Sequence, residues 1–193
     1  MENVIPSFFN DDSKGYDEIF VDFWLSWTIR CVNIISSDKS YLKVKEYSRK
    51  ILSYCISKRQ DVNFLNNKNI NKIRCWKQYS TDNGKIDLWF ELEIENKKYA
   101  LIFENKVNAK ISKGQLEKYK KYIDNYYKNK DYEVIYIFLR ANDEYIENDE
   151  KICKKNGFVP ILYSELQEAT EAEKDGDWVM TENDLFDEFW FKW

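Results

Sequence analysis

Two apolar segments joined by a short polar link do most to limit what this chain can become. Residues 85–94, KIDLWFELEI, place Ile86, Leu88, Phe90, Leu92 and Ile94 at alternate positions, the period of a strand with one buried face. Residues 99–107, YALIFENKV, open with an apolar run suited to a buried strand. Glu95 to Lys98 makes a tight connection, so the two segments are expected to pair as an antiparallel hairpin. The second run then ends, with no turn signal, in Glu104, Asn105 and Lys106. An acid and a base two residues apart at the end of a core strand need a chemical reason.

If residues 95–98 form the turn, pairing is symmetric about the 96–97 bond. Asp87 then lies opposite Lys106, and Trp89 opposite Glu104. Period-two alternation puts Asp87, Glu104 and Lys106 on one face, where direct partners stand roughly 5 Å apart and diagonal ones roughly 7–8 Å. A turn one residue longer reverses that parity. Below the charges on the same face come Ile102 and Ala100, so the acids sit where the core ends. Two carboxylates there repel, and burying charge is costly without compensation. A divalent cation resolves this, because Mg²⁺ takes one or two carboxylates and completes its shell with water and phosphate oxygens. It acidifies a bound water and stabilises charge on a phosphoryl oxygen. A lysine beside it can hold or deprotonate that water. The bland reading of E-x-K is an exposed strand pair worth almost nothing.

Composition removes most other chemistries. There is no histidine, which excludes histidine triads and HExxH zinc sites. The five glycines form neither GxGxxG nor GxxxxGK, so no glycine-rich phosphate cradle is available. Cys31, Cys55, Cys75 and Cys153 are widely spaced and read as reduced core residues of an intracellular protein. With 44% hydrophobic and 17% aromatic residues, the 193-residue chain has material for a real core. One domain is expected over residues 1–193, with a core at about 16–163 and an acidic, aromatic extension at 164–193. No run is long enough to span a bilayer, and MENVIPSFFNDDSK lacks the pattern of a secretory leader, so a cytoplasmic protein is expected.

Along the chain, residues 16–35 read as a helix. One stripe holds Phe20, Phe23, Trp24, Trp27, Cys31 and Ile34; a second holds Val21, Leu25, Ile29 and Val32. A second helix is expected at 40–58, strands at 70–79, 85–94 and 99–107, and a TDNG turn at 81–84. A helix at 112–127, a strand at 133–139, a polar helix near 143–156 and a strand at 158–163 follow. The order helix, three strands, helix, strand implies an α/β sandwich around a mixed sheet with an antiparallel hairpin. From Lys106 to Lys130 eight lysines face Glu117 and Asp124, whereas from Glu165 to Glu188 ten acids face Lys174. The terminal aromatics Phe186, Phe189, Trp190, Phe191 and Trp193 are expected on a helix docked on the domain or on a second copy.

The quoted residues resemble a known family. Gly84-Lys85-Ile86-Asp87 followed by Phe103-Glu104-Asn105-Lys106 is similar to the signature of the PD-(D/E)xK nuclease superfamily, an acid, a variable gap, then E-x-K. Gln115 and Tyr119 of QLEKY resemble the Q-x-x-x-Y element of its RecB-type exonuclease branch. The resemblance covers roughly residues 16–140 and departs in one respect, since no proline precedes Asp87. It implies a restriction-endonuclease-like αβββαβ core and a metal-dependent nuclease, DNA being favoured over RNA as substrate. It also implies Asp87 and Glu104 as ligands of Mg²⁺ or Mn²⁺, Lys106 at the nucleophilic water, and Gln115 and Tyr119 at the active site or nucleic acid. Members often carry another glutamate on the first helix. Glu18 is the match here, with Asp22 its rival. Ser112-x-x-Gln115 also fits a capping box, which would give Gln115 a local role.

Lys110, Lys113 and Lys118, with Lys120 and Lys121, follow the E-x-K strand and are expected to neutralise phosphates at its rim. In so aromatic a chain, Tyr126, Tyr127 and Trp89 are not singled out as base-stacking residues. A homodimer is compatible with cutting two strands. The rival reading is a catalytically silent binding module on the same scaffold.

Overall fold

The computed structural model describes residues 17–82, 84–142 and 148–192. The N-terminal MENVIPSFFNDDSK, Asn83 of the expected turn, residues 143–147 of the expected polar helix and Trp193 lie outside them.

The elements are α1 (Asp17–Cys31), α2 (Lys39–Ile56), β1 (Ile70–Thr81), β2 (Gly84–Ile94), β3 (Lys97–Lys106), α3 (Gln115–Tyr127), β4 (Glu133–Arg140), α4 (Asp149–Asn156), β5 (Phe158–Leu162), α5 (Tyr163–Glu168), β6 (Glu173–Lys174), β7 (Asp177–Trp178) and α6 (Asp184–Phe191). The main sheet has the order β1-β2-β3-β4-β5. Its first three strands are antiparallel neighbours, while β3, β4 and β5 run parallel. The expected αβββαβ order is present, with α2 inserted before β1 and α4 and β5 added after β4. The α5 helix and the small β6–β7 hairpin were not foreseen.

The sheet separates two cores. On one face Leu88, Phe90, Leu92, Leu101, Phe103, Ile135 and Ile137 pack against Val21, Leu25 and Ile29 of α1 and Ile51 and Leu52 of α2. On the other, Trp89, Ile102 and Phe138 pack against Leu116, Tyr119 and Ile123 of α3 and Cys153 of α4. Parallel crossovers require this, because β3-α3-β4 and β4-α4-β5 turn the same way and leave their helices on one side. In α1 the stripe Val21, Leu25, Ile29 and Val32 is the fully buried one. Phe20 and Phe23 of the other stripe are exposed, while Trp24 and Trp27 are covered by α6.

The C-terminal helix docks on its own chain. Trp24 stacks on Phe189 at 5.6 Å, Tyr163 stacks on Trp190 at 5.1 Å, and Trp190 Nε1 donates to Thr28 Oγ1 at 2.9 Å. Asn183 caps α6 by accepting from the Phe186 N–H. All four cysteines are free thiols. No helix among the described residues is long and apolar enough to cross a membrane.

The hairpin register differs from the expectation. Ile94 pairs with Lys97, so the turn is Glu95-Asn96 and Trp89 lies opposite Ile102, not Glu104. Glu95 takes φ 52°, a left-handed conformation unusual for a residue with a side chain. It is fastened there from outside the hairpin. Its N–H donates to Asn69 O, its carboxylate accepts from the Asn69 N–H, and its carbonyl accepts from Asn71 Nδ2. The shift is two residues, so parity survives, and Asp87 moves from opposite Lys106 to a level one step past the Leu88–Phe103 pair, beside Glu104. The alternation of β2 also breaks. Ile86 packs with Trp89 on the α3 side, not with Leu88; between the Lys77–Leu88 and Tyr79–Ile86 pairs the ladder has a gap where Gln78, φ 50°, faces Asp87.

Candidate active site

The site forms where β2 and β3 outrun their cores and α1 crosses them. The ladder stops at Leu88–Phe103, and the backbone N–H of Asn105, now without a strand partner on that side, donates to Asp87 Oδ2 at 2.8 Å. Asp87 Oδ1 accepts from Gln78 Nε2 at 3.1 Å. That same amide donates to Asp22 Oδ2 at 2.6 Å, and Asn105 Nδ2 holds Asp22 Oδ1. Gln78 and Asn105 therefore tie the first helix to the hairpin through a buried aspartate.

Glu104 is 1% exposed. Its Oε1 accepts from Lys106 Nζ and from Gln115 Nε2, both at 2.6 Å. Its Oε2 is buried and has no hydrogen-bond partner among the described residues. Lys106 Nζ also donates to Asn105 O at 3.0 Å and lies 3.6 Å from Glu18 Oε2. Glu18 in turn accepts from the Val107 N–H at 3.3 Å. Three carboxylates, Glu18, Asp87 and Glu104, thus act on one ammonium, and a fourth, Asp22, is tied to Asp87 through Gln78.

The electrostatics follow. Burial pushes the Glu104 carboxyl up to about 8, the charge of Asp87 adds to the rise, and Lys106 opposes it. Burial, then Asp87, pushes Asp22 up to about 7 against the hydrogen bonds from Gln78 and Asn105. Asp87 is also raised by burial, opposed chiefly by Lys106. Burial by itself would lower Lys106, but Glu104 and Asp87 outweigh it and hold the ammonium above the ordinary lysine range. Lys106 therefore stays a charged ammonium that donates hydrogen bonds in this arrangement.

Both expected first-helix acids reach the site, Glu18 at Lys106 and Asp22 beneath it. Gln115 serves two ends at once. Its Oε1 accepts from the Ser112 N–H at 3.2 Å, half of a capping box, while its Nε2 holds Glu104. The helix itself starts at Gln115 behind Gly114, φ 74°, so Ser112 is not its cap as expected. Gln115 Nε2 also donates to Tyr119 Oη at 3.2 Å, and that ring lies so close to Gly84 that a Cβ there would stand 3.1 Å from the hydroxyl.

Lys110, Lys113 and Lys118 are exposed and touch none of these carboxylates. Lys113, with Lys120, Lys121 and Lys155, lines a cavity of about 860 Å³ between the start of α3 and α4, which meets the carboxylate cluster only through Gln115. Sequence reasoning missed Gln78 and Asn105. The only signals were that Gln78 lies across the TDNG turn from Asp87 and that Asn105 is the central residue of E-x-K. It also missed Arg140, level with Lys106 on β4 and fully buried. Arg140 donates to Val107 O and Ala109 O and pairs with Asp149, pinning the chain that leaves the site.

Among the described residues no three carboxylate or cysteine groups are close enough to enclose a metal alone. Asp87 and Glu104 with water and phosphate oxygens are nonetheless a sufficient set for Mg²⁺, and the bare Glu104 Oε2 is the donor atom such an ion needs. Members of the family with this signature generally use divalent metals. Comparison with curated proteins and with solved structures returns no match. The sequence model of the PD-(D/E)XK nuclease superfamily matches residues 3–190, nearly the whole chain, and the protein belongs to that superfamily.

Proposed function

We propose that this protein is a metal-dependent nuclease that hydrolyses phosphodiester bonds, in DNA rather than RNA. The observation that carries the reading is the unpartnered, buried Glu104 Oε2 beside Asp87, in a cluster of four carboxylates with one lysine. Asp87 and Glu104 would hold Mg²⁺ or Mn²⁺. When bound, that ion supplies an acidified water and charge stabilisation at a phosphoryl oxygen. Lys106, kept protonated by its carboxylate neighbours, orients the water and donates to the oxygen on which negative charge grows. Glu18 aims Lys106, Gln115 fixes Glu104, and Tyr119 sets the position of Gln115. Lys110, Lys113 and Lys118 neutralise phosphates along the rim. The setting would be restriction, repair or defence against mobile DNA.

A second reading is a binding module that has kept the scaffold. It is favoured by the protein donors already on each acid, Gln78 and Asn105 on Asp22 and Asp87, Gln115 and Lys106 on Glu104. Labelled single-stranded DNA, duplex DNA and RNA incubated with Mg²⁺, Mn²⁺ or EDTA separate the two. Metal-dependent cutting that Asp87→Ala abolishes and Lys106→Ala lowers by at least about a hundredfold is the expected result. A folded protein that cuts nothing and whose melting ignores Mn²⁺ would leave the binding module.

A further inference from the structure

Along α3, Gln115, Tyr119, Tyr122 and Tyr126 follow one another at steps of four, three and four, one continuous row of a helix. The row starts at the Glu104 contact and runs away from it. Across from it stands β1, the edge strand of the sheet, with Tyr79 and Trp76. Tyr122 meets Tyr79 across the gap. Between the two walls lies Trp89, 2% exposed, with its ring 5.1 Å from Tyr79, 5.5 Å from Trp76 and 4.9 Å from Tyr126.

The buried members have structural employment. Trp89 Nε1 donates to Tyr127 Oη, and Tyr127 donates to the buried Glu91. The outer members do not share that burial. Trp76, Tyr79 and Tyr122 are half-buried, and Tyr126 is 39% exposed. Partial exposure is ordinary for a single Tyr or Trp; here the partly exposed rings line one face that leads to the carboxylate site, where their apolar faces are open to a flat partner. Cations flank them. Lys118 lies one turn before Tyr122 and is exposed, and Lys130 Nζ sits over one face of the Tyr126 ring, 3.1 Å from its centroid, a place that a stacking base would take over.

We infer that this face is a stacking platform for unpaired bases, which makes single-stranded nucleic acid the substrate class of the carboxylate site; the substrate assignment rests on the nuclease reading, the binding itself does not. A strand lying along α3 would set successive bases against Tyr126, Tyr122 and Tyr79 and bring its backbone to Tyr119, Gln115 and Glu104. An intact duplex keeps its base faces in its own stack and has nothing to offer these rings. Lys118 meets the phosphates, and Lys130, displaced from the Tyr126 ring by the stacking base, joins it there.

The test is fluorescence anisotropy with labelled oligothymidylate and with a blunt duplex of equal length, in EDTA so that nothing is cut. Wild type is expected to bind the single strand at least about tenfold more tightly. Tyr126→Leu and Tyr122→Leu each weaken it about tenfold, the effect of losing one stacked base, whereas Tyr126→Phe and Tyr122→Phe retain it. Equal affinity for strand and duplex, or leucine variants that bind like wild type, would overturn the platform. Nitration of wild type by tetranitromethane, mapped by mass spectrometry, needs no variant: oligothymidylate should protect Tyr126, and undiminished nitration of Tyr126 under saturating strand counts against the proposal. Wild type that never cuts with metal but binds the strand through Tyr126 would remove the nuclease and keep the platform.

Discussion

Lys106 Nζ lies 2.6 Å from Glu104 Oε1, and both groups are almost wholly inside the protein. Such a pair is held by mutual need. Removing either partner leaves a charge with poor solvation, a loss of about 3–5 kcal/mol for a buried pair. Glu104 can escape that cost by taking a proton. Lys106→Ala is therefore expected to fold, with Glu104 neutral and a poor metal ligand. Phosphodiester cleavage should fall by about 10²–10³-fold, the usual effect of deleting one donor to developing charge. Single-turnover assays of Lys106→Ala beside wild type check this, and near-wild-type rates would exclude Lys106 from the reaction.

The metal-free protein should lose stability as pH rises. Glu104 has an ordinary value of 4.5 and is held near 8 in the fold, so the folded state keeps a proton that the unfolded state releases. The contribution is fully present below 4.5 and is lost as pH rises through about 8. Asp22, held near 7, acts in the same direction. Differential scanning fluorimetry in EDTA should show a lower Tm at pH 9 than at pH 6. Mn²⁺ binding needs the ionised carboxylates, so the Mn²⁺-induced rise in Tm should grow over the same range. Glu104→Gln should flatten the first trend and abolish the second.

Gln78 holds two aspartates apart with one amide. Gln78→Leu leaves Asp22 and Asp87 facing each other without that donor and is expected to cost about 1–3 kcal/mol, the loss for a buried polar group deprived of its partner. Gln78→Glu adds a further negative charge, so its penalty should be larger at pH 8 than at pH 6. Urea unfolding at the two pH values measures both, and a penalty independent of pH would contradict the carboxylate clustering.

Arg140 and Asp149 form an ion pair with 0% and 2% side-chain exposure. Arg140→Met should destabilise by about 3–5 kcal/mol, because Asp149 is left buried beside an apolar chain. The double change Arg140→Met with Asp149→Leu should recover much of that loss. Carbonyls of Val107 and Ala109 would still lack their donor, so recovery should be incomplete. A double-mutant cycle by chemical denaturation gives the coupling.

Trp190 joins the end of the chain to its beginning through Thr28 and Tyr163. Trp190→Ala empties a fully buried aromatic site and should cost about 3–5 kcal/mol. Trp190→Phe keeps most of the packing and loses the Thr28 hydrogen bond, so it should cost about 1 kcal/mol beyond the smaller ring's lost contact. Thermal melts of the two variants test whether α6 belongs to the cooperative unit.

Much of this site was written in local sequence. Strand periodicity puts Glu104 and Lys106 on one face of β3, and the hairpin brings Asp87 to the same end although the alternation of β2 breaks beside it. Helical periodicity likewise puts Gln115 and Tyr119 on one row. Even a two-residue error in the turn left the three charges together, since a shift of two preserves the face.

What local pattern could not decide depends on segments distant in the chain. The turn is tight because Asn69 and Asn71 fasten Glu95, and no rule within the hairpin contains them. Whether Glu18 or Asp22 serves the site has the answer that both reach it, fixed by how α1 lies across β2 and β3. The bridging of Asp22 and Asp87 by Gln78 arises from a left-handed backbone residue that only the assembled sheet stabilises. Periodicity is a property of one element and can be read in order. Compensation of buried charge is a property of several elements at once, and it exists only after they have packed.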